Sequence, residues 1–523
     1  MLITLYKFPY RYFPYEEEFL NDEARSIGEI LNPTPTTVTV RVRGYAPSER
    51  LNDRLARLTY FSHFTWENSE RRPTHQFLLE NGTSGSPGGS RRQSTRYSVH
   101  GIHEYKGRFN PQIARFLMNV SGISSDGVVF DPFCGCGTVL VEAVHYGCRA
   151  IGIDSNPLAE LLTKAKLALL GAKTREIDEF AGSLKSILKY VERSRLDFDL
   201  EDAASKLGLS IRARQYLDSW FPRNALAKLL AFRILARKTL RRPWVVVAEA
   251  LVSNVARDVS YQDPADLRIR RRKQAPENTF LEGPIDDALE SLILQVRNAN
   301  AVINKKGRGV ARVFCADSRQ SVKVVRQAVR EYGRRTVDVV VTSPPYATAL
   351  PYIDTSRLSL ILLGLGEPCY LRRLERLQIG SRELSPSERN GLEAEIDEEL
   401  SSLPHELSSF IRTLLRNVRD HEVGFRKRNV PALLATYFSA IKQVLSETRK
   451  VLKPQGQAFW VVGKNRTETD KKWIEIDTPK WIAAIGKSIG FEVDVRGLDT
   501  YQRFGLHHRN AIRNESLLTF RAV

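Results

Sequence analysis

The apolar positions of this chain fall into short blocks and long periodic stretches that alternate. Val337 to Val341 is apolar except for Asp338, the pattern of a short strand buried on both faces. Val128-Val129-Phe130, Ala150 to Ile153, Ala311 to Phe314 and Gln457 to Val462 read the same way. Between them run helical periods at Gln112–Ser121, Pro157–Leu170, Pro284–Ala301, Asp354–Leu365, Ala432–Leu452 and Thr478–Ile489. Strands separated by helices predict an α/β fold with a sheet covered on both faces. Further strands are expected at Phe491–Arg496 and Leu517–Arg521.

Two long stretches break the alternation. Residues 171–306 are mostly helical, with periodic segments at Phe180–Arg193, Ala225–Thr239 and Val245–Val259, and residues 366–430 are polar, charged and helical. Both are read as insertions into one α/β domain built from residues 97–170, 307–365 and 431–523. Residues 1–80 form a separate small α/β module. It should carry a helix at Glu16–Leu31, a turn at Pro33-Thr34-Pro35 and a strand at Thr36–Val42. Residues 81–96, rich in Gly, Ser and Pro, read as a linker.

Two strand ends carry the chemistry. Val337–Val341 runs into Thr342-Ser343-Pro344-Pro345-Tyr346. Consecutive prolines end ladder pairing and hold the chain extended, leaving backbone carbonyls free to accept from a ligand. Acceptors beside an aromatic ring suit a planar base with an exocyclic amine. The other end is Phe130-Asp131-Pro132-Phe133-Cys134-Gly135-Cys136-Gly137-Thr138, a strand, a glycine loop and a helix start. About twenty residues on, Ile153-Asp154 ends a second strand in a carboxylate, the spacing at which nucleotide folds bind ribose hydroxyls.

With these motifs the chain resembles the S-adenosylmethionine-dependent amino-methyltransferases of nucleic acids. Their hallmarks read Asp-Pro-Phe-x-Gly-x-Gly-Thr and (Ser/Asp/Asn)-Pro-Pro-(Tyr/Phe). The resemblance implies a Rossmann-like sheet with helices on both faces, closed by an antiparallel pair of strands at the end of the chain. It implies S-adenosylmethionine bound by Asp131, Phe133, Gly135, Gly137, Thr138 and Asp154. A family segment Gly-x-Phe-x-Pro, matched by Gly107, Phe109 and Pro111, would hold the methionine end, and Asp317 would lie near the adenine amine. In the catalytic corner, Ser343 and the Pro344 carbonyl would take the amine hydrogens, with Pro345 shaping the turn and Tyr346 stacking on a flipped base. Adenine-modifying members more often carry Asp or Asn where this chain has Ser343. Serine is commoner in enzymes acting on cytosine N4, so cytosine N4 in DNA is the expected target.

Composition adds a partner. There are 79 basic and 60 acidic residues, a net charge of +19, which points to a polyanion. The basic run Arg268, Arg270, Arg271, Arg272 and Lys273 is the candidate phosphate grip. Five cysteines are too few for a disulfide framework in 523 residues, and Cys134 and Cys136 lack a matching pair for a metal site. No apolar run approaches the roughly 20 residues of a membrane span, and nothing at the amino terminus reads as a signal peptide. A cytoplasmic protein is expected, with a restriction system as a candidate partner. His100 and His103 are read as loop or substrate-side residues. The competing readings are a tRNA guanine-N2 methyltransferase, a DNA adenine-N6 methyltransferase and a silent nucleic-acid-binding subunit. A carbon-5 enzyme would need a Pro-Cys nucleophile after a strand, whereas Pro368-Cys369 follows a helix. A dehydrogenase would need a third glycine in the loop.

Overall fold

The computed structural model describes the chain except residues 44–47, 67–68, 81–93, 195–198, 264–265, 267–268, 277–278, 304–308, 349–350, 382–383, 421–423, 470–471, 501–514 and 523. The linker expected at residues 81–96 therefore lies largely outside the described residues.

Five strands come from the amino-terminal module: β1 (Leu2–Lys7), β2 (Glu29–Pro33), β3 (Thr37–Arg41), β4 (Phe61–Trp66) and β5 (Arg72–Pro73). They form an antiparallel sheet in the order β2-β3-β1-β4-β5. The expected helix at Glu16–Leu31 runs instead over Pro14–Ile27, because Gly28 ends it and the chain turns into β2. Strand β1 was not anticipated. Ile3 and Leu5 point to the core while their neighbours stay at the surface, the alternation of a half-buried strand.

The module is not a loose appendage. Its helix stacks Phe19 on Phe116 of the helix Pro111–Ser121, ring centroids 3.9 Å apart. Glu23, fully buried, accepts from the Thr59 and Tyr60 backbone amides and from Asn119 Nδ2 at 2.7–3.0 Å. A buried carboxylate with several donors is satisfied, and those donors come from both modules.

The large sheet contains β6 (Val128–Asp131), β7 (Arg149–Asp154), β8 (Val310–Cys315), β9 (Val337–Thr342), β10 (Leu452–Gly463), β13 (Phe491–Leu498) and β14 (Glu515–Ala522), with β11 (Asn465–Thr469) and β12 (Lys472–Ile476) as a separate ribbon. Its order is β13-β14-β10-β9-β6-β7-β8; β14 alone runs antiparallel to its neighbours. This is the Rossmann-like methyltransferase sheet, with the expected antiparallel end. β9 serves two cores: Val337 at its start and Val340 belong to the one with Phe130 and Phe438, Val339 and Val341 to the one with Ile113 and Leu117. Asp338 interrupts the apolar run for a reason. Its carboxylate accepts from Val128 N at 2.9 Å and Lys453 Nζ at 3.0 Å, stapling the strands on either side.

The longest elements between β7 and β8 after the helix Pro157–Gly171 are the helices Thr174–Arg193, Arg223–Thr239, Arg242–Ala256 and Glu282–Ile303. Leu184, Leu229, Leu251 and Leu289 of these helices join Leu162 of the helix Pro157–Gly171 in one hydrophobic core. Arg233 is buried there, paired with Glu249 at 2.7 Å and donating to the Leu362 and Leu363 carbonyls that end the helix Tyr352–Leu362. The second insertion contributes the helices Leu371–Leu377, Pro386–Ala394, Ile396–Ser401, His405–Asp420 and Phe425–Arg428.

Candidate active site

In an open α/β sheet, ligands bind at the carboxyl ends of strands where the order reverses. Here that point lies between β6 and β9, the two strands bearing the motifs. A cavity of about 280 Å³ opens there, and Phe133, Gly135, Asp154, Ser343, Pro344 and Tyr346 all line it. Two motifs far apart in sequence meet in one site.

The glycine loop is held from several sides. Cys134 N donates to the Ile153 carbonyl at 2.9 Å, and Gly135 N donates to Asp154 Oδ2 at 2.9 Å. Gly135 has φ +48° and faces the cavity. Gly137 has φ +80°, and a Cβ there would come within 2.6 Å of Thr163 Cγ2. Both requirements exclude other residues, one by backbone conformation and one by close packing as well. Asp154 accepts a second amide, Asn156 N, at 2.8 Å. Each of its oxygens keeps a lone pair for a ligand.

Asp131 does not line this cavity. It is buried and accepts at Oδ1 from Phe133 N at 3.0 Å and from Thr342 Oγ1 at 2.5 Å. Burial pushes its carboxyl up to about 7, against the pull of those hydrogen bonds. It joins the tip of β6 to the tip of β9. Thr138 and Pro111 are buried first residues of helices. Asp317 sits past β8 and is gripped by its neighbour Arg319, whose Nη2 lies 2.7 Å from Oδ2. Arg319 faces a second cavity, about 440 Å³, which shares Gln378 with the first.

At the corner, the Ser343 hydroxyl donates to the Val461 carbonyl at 3.0 Å. With its hydrogen so placed, Ser343 Oγ presents lone pairs to the cavity. Tyr437 donates to the Pro345 carbonyl at 2.9 Å, and Tyr346 N donates to the Tyr352 hydroxyl at 3.2 Å. No donor among the described residues reaches the Pro344 carbonyl. The Tyr346 hydroxyl donates to Glu515 Oε1 at 2.6 Å. The opposite wall is Tyr105 to Asn110, including the expected Phe109. Asn110 also caps the following helix through Gln112 N.

Sequence reading missed Tyr105, two residues before the Gly107 motif, and Tyr352, Gln378 and Glu515, which line the cavity from elements with no motif of their own. It also missed the ribbon β11–β12, which leaves the end of β10. There Asn465 Nδ2 donates to the Ala347 carbonyl and to Thr348 Oγ1, just past the corner. Alternation in this polar stretch is weak, so no strand stood out.

One expectation needs correction. His100 and His103 are not substrate-side residues; both are buried. His100 Nε2 lies 2.7 Å from Glu142 Oε1 and His103 Nε2 lies 2.9 Å from Ser253 Oγ. Burial pulls both imidazoles down to about 3, so each is neutral at pH 7. Arg270, Arg271 and Arg272 of the basic run have partners within the protein and stay partly at the surface. Arg271 stacks on Tyr261 and donates to the Ser219 carbonyl, and Arg272 donates to the carbonyls of Arg257, Asp258 and Gln262. Arg270 pairs with Asp266 at 3.1 Å. Lys273 is exposed, and Arg268 lies outside the described residues. Cys369 is exposed and away from the cavity lining.

The donor set fits one group. A glycine loop that lets a ligand close on the backbone, a carboxylate with spare lone pairs for a diol, and the aromatic walls Tyr105 and Phe109 suit an adenosyl sulfonium. Sheet order and site together define a methyltransferase that takes S-adenosylmethionine. The RMKL-like methyltransferase domain family (UPF0020) matches residues 102–195, which include the glycine loop and Asp154. The chain is similar to the Type II methyltransferase M.MvaI of Kocuria varians, 23% identical over 431 residues, covering 79% of this chain and 83% of that protein. It is also similar to the Type II methyltransferase M.AvaI of Nostoc sp., 23% identical over 442 residues, 78% of this chain and 84% of that protein. A tRNA (guanine(10)-N2)-dimethyltransferase of Methanothermobacter thermautotrophicus is 42% identical, but over 50 residues only, 10% of this chain and 15% of that protein.

Proposed function

We propose that the chain methylates the exocyclic amine of a base in DNA, at cytosine N4. One observation carries the reading: Ser343 Oγ and a Pro344 carbonyl that no donor among the described residues reaches stand beside Tyr346 in the cavity that also holds Gly135 and Asp154. When bound, S-adenosylmethionine supplies an electrophilic methyl group. The chain's own work is placement. The nitrogen lone pair of an aromatic amine is delocalised into its ring. Two acceptors that hold both amine hydrogens favour the pyramidal, nucleophilic form. Tyr346 offers a stacking face for a base extruded from the duplex. Positioning of this kind can supply much of the acceleration, since no covalent enzyme intermediate is needed.

DNA is favoured over tRNA because the Type II methyltransferases align over most of the chain, whereas the tRNA enzyme aligns over a short segment. The net charge of +19 agrees with either polyanion. Cytosine is favoured by Ser343, a short neutral acceptor. Incubation with labelled cofactor and unmethylated DNA or tRNA, followed by nucleoside mass spectrometry, tests this. N4-methylcytosine is expected. N6-methyladenine would replace the base and keep the chemistry, while label confined to tRNA guanine would overturn the substrate class.

Asp154 gives the cofactor half of the reading its own test. Burial pushes its carboxyl up to about 6, partly offset by the Asn156 and Gly135 amides. Only the ionised form accepts from both ribose hydroxyls. Affinity for S-adenosylmethionine should therefore hold above pH 6 and fall as pH drops through it, approaching about tenfold per pH unit. Calorimetry on Asp154→Asn should give weaker binding without that dependence. An unchanged profile in the variant would remove Asp154 from the site.

A further inference from the structure

We propose that Glu515 is the base that takes the proton released when the target amine is methylated. The inference rests on the amine-methylation reading above and adds a group that reading leaves out. When the amine nitrogen's lone pair forms the new bond to carbon, the sulfur–methyl bond breaks and its electrons return to sulfur as a neutral thioether. The positive charge moves to the nitrogen. An N–H proton must then leave to restore a neutral base.

The corner itself cannot receive it. A serine hydroxyl and a peptide carbonyl are good hydrogen-bond acceptors but are not bases near neutral pH. This chain has Ser343 at the corner, which brings no carboxylate of its own. Among the described residues two carboxylates line the cavity, Asp154 and Glu515. Asp154 is committed at the tip of β7, accepting from Gly135 and Asn156 amides. Glu515 is the first residue of β14, on the Tyr346 side of the cavity, with Oε1 accepting from the Tyr346 hydroxyl at 2.6 Å. A carboxylate there faces the incoming base and can pass its proton on to solvent when product leaves.

The surroundings set its acidity. Tyr346 and Tyr352 face the cavity from the corner and the helix beyond it, Lys106 and Arg108 from the opposite wall, and Asp154 from β7. Lys464 follows Gly463, the β10 partner of Glu515, but is held by Glu475 and Asp477 at 2.9 and 3.1 Å. Asp499 follows Leu498, its partner on β13, and is exposed. Burial raises the Glu515 carboxyl above its usual range, and the Tyr346 hydroxyl partly counters it. Below that point Glu515 is protonated and cannot accept.

Single-turnover rates at saturating DNA and cofactor, measured from pH 5.5 to 9, test the proposal. Wild type should show an acid limb. Glu515→Gln, which can still accept from Tyr346 and so preserves a purely structural role, should lose the limb and fall roughly 10²-fold at pH 8. Its affinity for cofactor by calorimetry should stay as in wild type. Tyr346→Phe removes the bond that lowers the carboxyl's pKa, so its limb should move to higher pH. Infrared titration of the cofactor-free protein, with Glu515→Gln as the blank, should show the same upward shift in the carboxyl band. A Glu515→Gln enzyme with wild-type rate and limb overturns the proposal while leaving DNA methylation standing. A wild-type protein that methylates no DNA amine fails at the earlier reading instead.

Discussion

Ser343→Ala should lower the single-turnover rate of DNA methylation by roughly 10²–10³-fold, the usual cost of deleting one oriented group that acts in the transition state. The hydroxyl donates to the Val461 carbonyl, so what the cavity loses is an acceptor. That acceptor matters most when the nitrogen pyramidalises, so the loss should fall on kcat and far less on cofactor affinity. Tyr346→Ala should cost about 1–3 kcal/mol of base stacking and also strip Glu515 of its partner. Tyr346→Phe keeps the ring and should lose less than the alanine variant. Calorimetry with S-adenosylmethionine should give near wild-type affinity for Ser343→Ala. A variant that binds cofactor normally and still turns over at the wild-type rate would remove Ser343 from the chemistry.

The motif half of this site was legible because each motif compresses a strand end and a loop into adjacent residues. Val337 to Tyr346 states a buried strand, a stop and two chemical groups in ten positions, and Phe130 to Thr138 does the same. The rest of the cavity comes from residues that mean nothing until the chain has folded. Glu515 lies 169 residues from Tyr346, at the head of an ordinary strand, and only the reversed strand β14 brings it beside the corner. Arg272 reads as one of a run of like charges in sequence, and the fold shows that it also donates to three carbonyls. His100 and His103 misled for the converse reason. Their neighbours Gly101, Glu104 and Lys106 look like an exposed loop, yet the helices Thr138–Tyr146 and Arg242–Ala256 cover both imidazoles. Helix periods were the most legible feature, since a buried stripe repeats over several turns, whereas β1 and the β11–β12 ribbon offer only a few alternations each.

Glu142→Gln should destabilise the protein by about 3–5 kcal/mol, the cost of leaving a buried charge without its partner. Glu142 is fully buried in the helix Thr138–Tyr146 that follows the glycine loop. Oε2 accepts from Arg115 Nη1 at 3.2 Å, and Oε1 from the Tyr97 hydroxyl at 2.8 Å and His100 Nε2 at 2.7 Å. His145 lies 3.3 Å away and holds Ser98 through its other ring nitrogen at 3.0 Å. Both histidine contacts tie down the segment leading to the Tyr105–Asn110 wall. Ser98 sits at φ +54°, a conformation that non-glycine residues keep only when their surroundings enforce it. Arg108 of that wall donates to the His100 carbonyl at 2.6 Å. A glutamine retains the shape but not the charge that balances Arg115. Denaturant titration should show the stability loss, and calorimetry should show weaker cofactor binding, because the wall rests on the network. Adding Arg115→Met should restore part of the stability, since the uncompensated charge is then gone. A loss below about 1 kcal/mol in the single variant would mean that Arg115 finds another counter-charge, and that Glu142 packs the helix without anchoring the cavity wall.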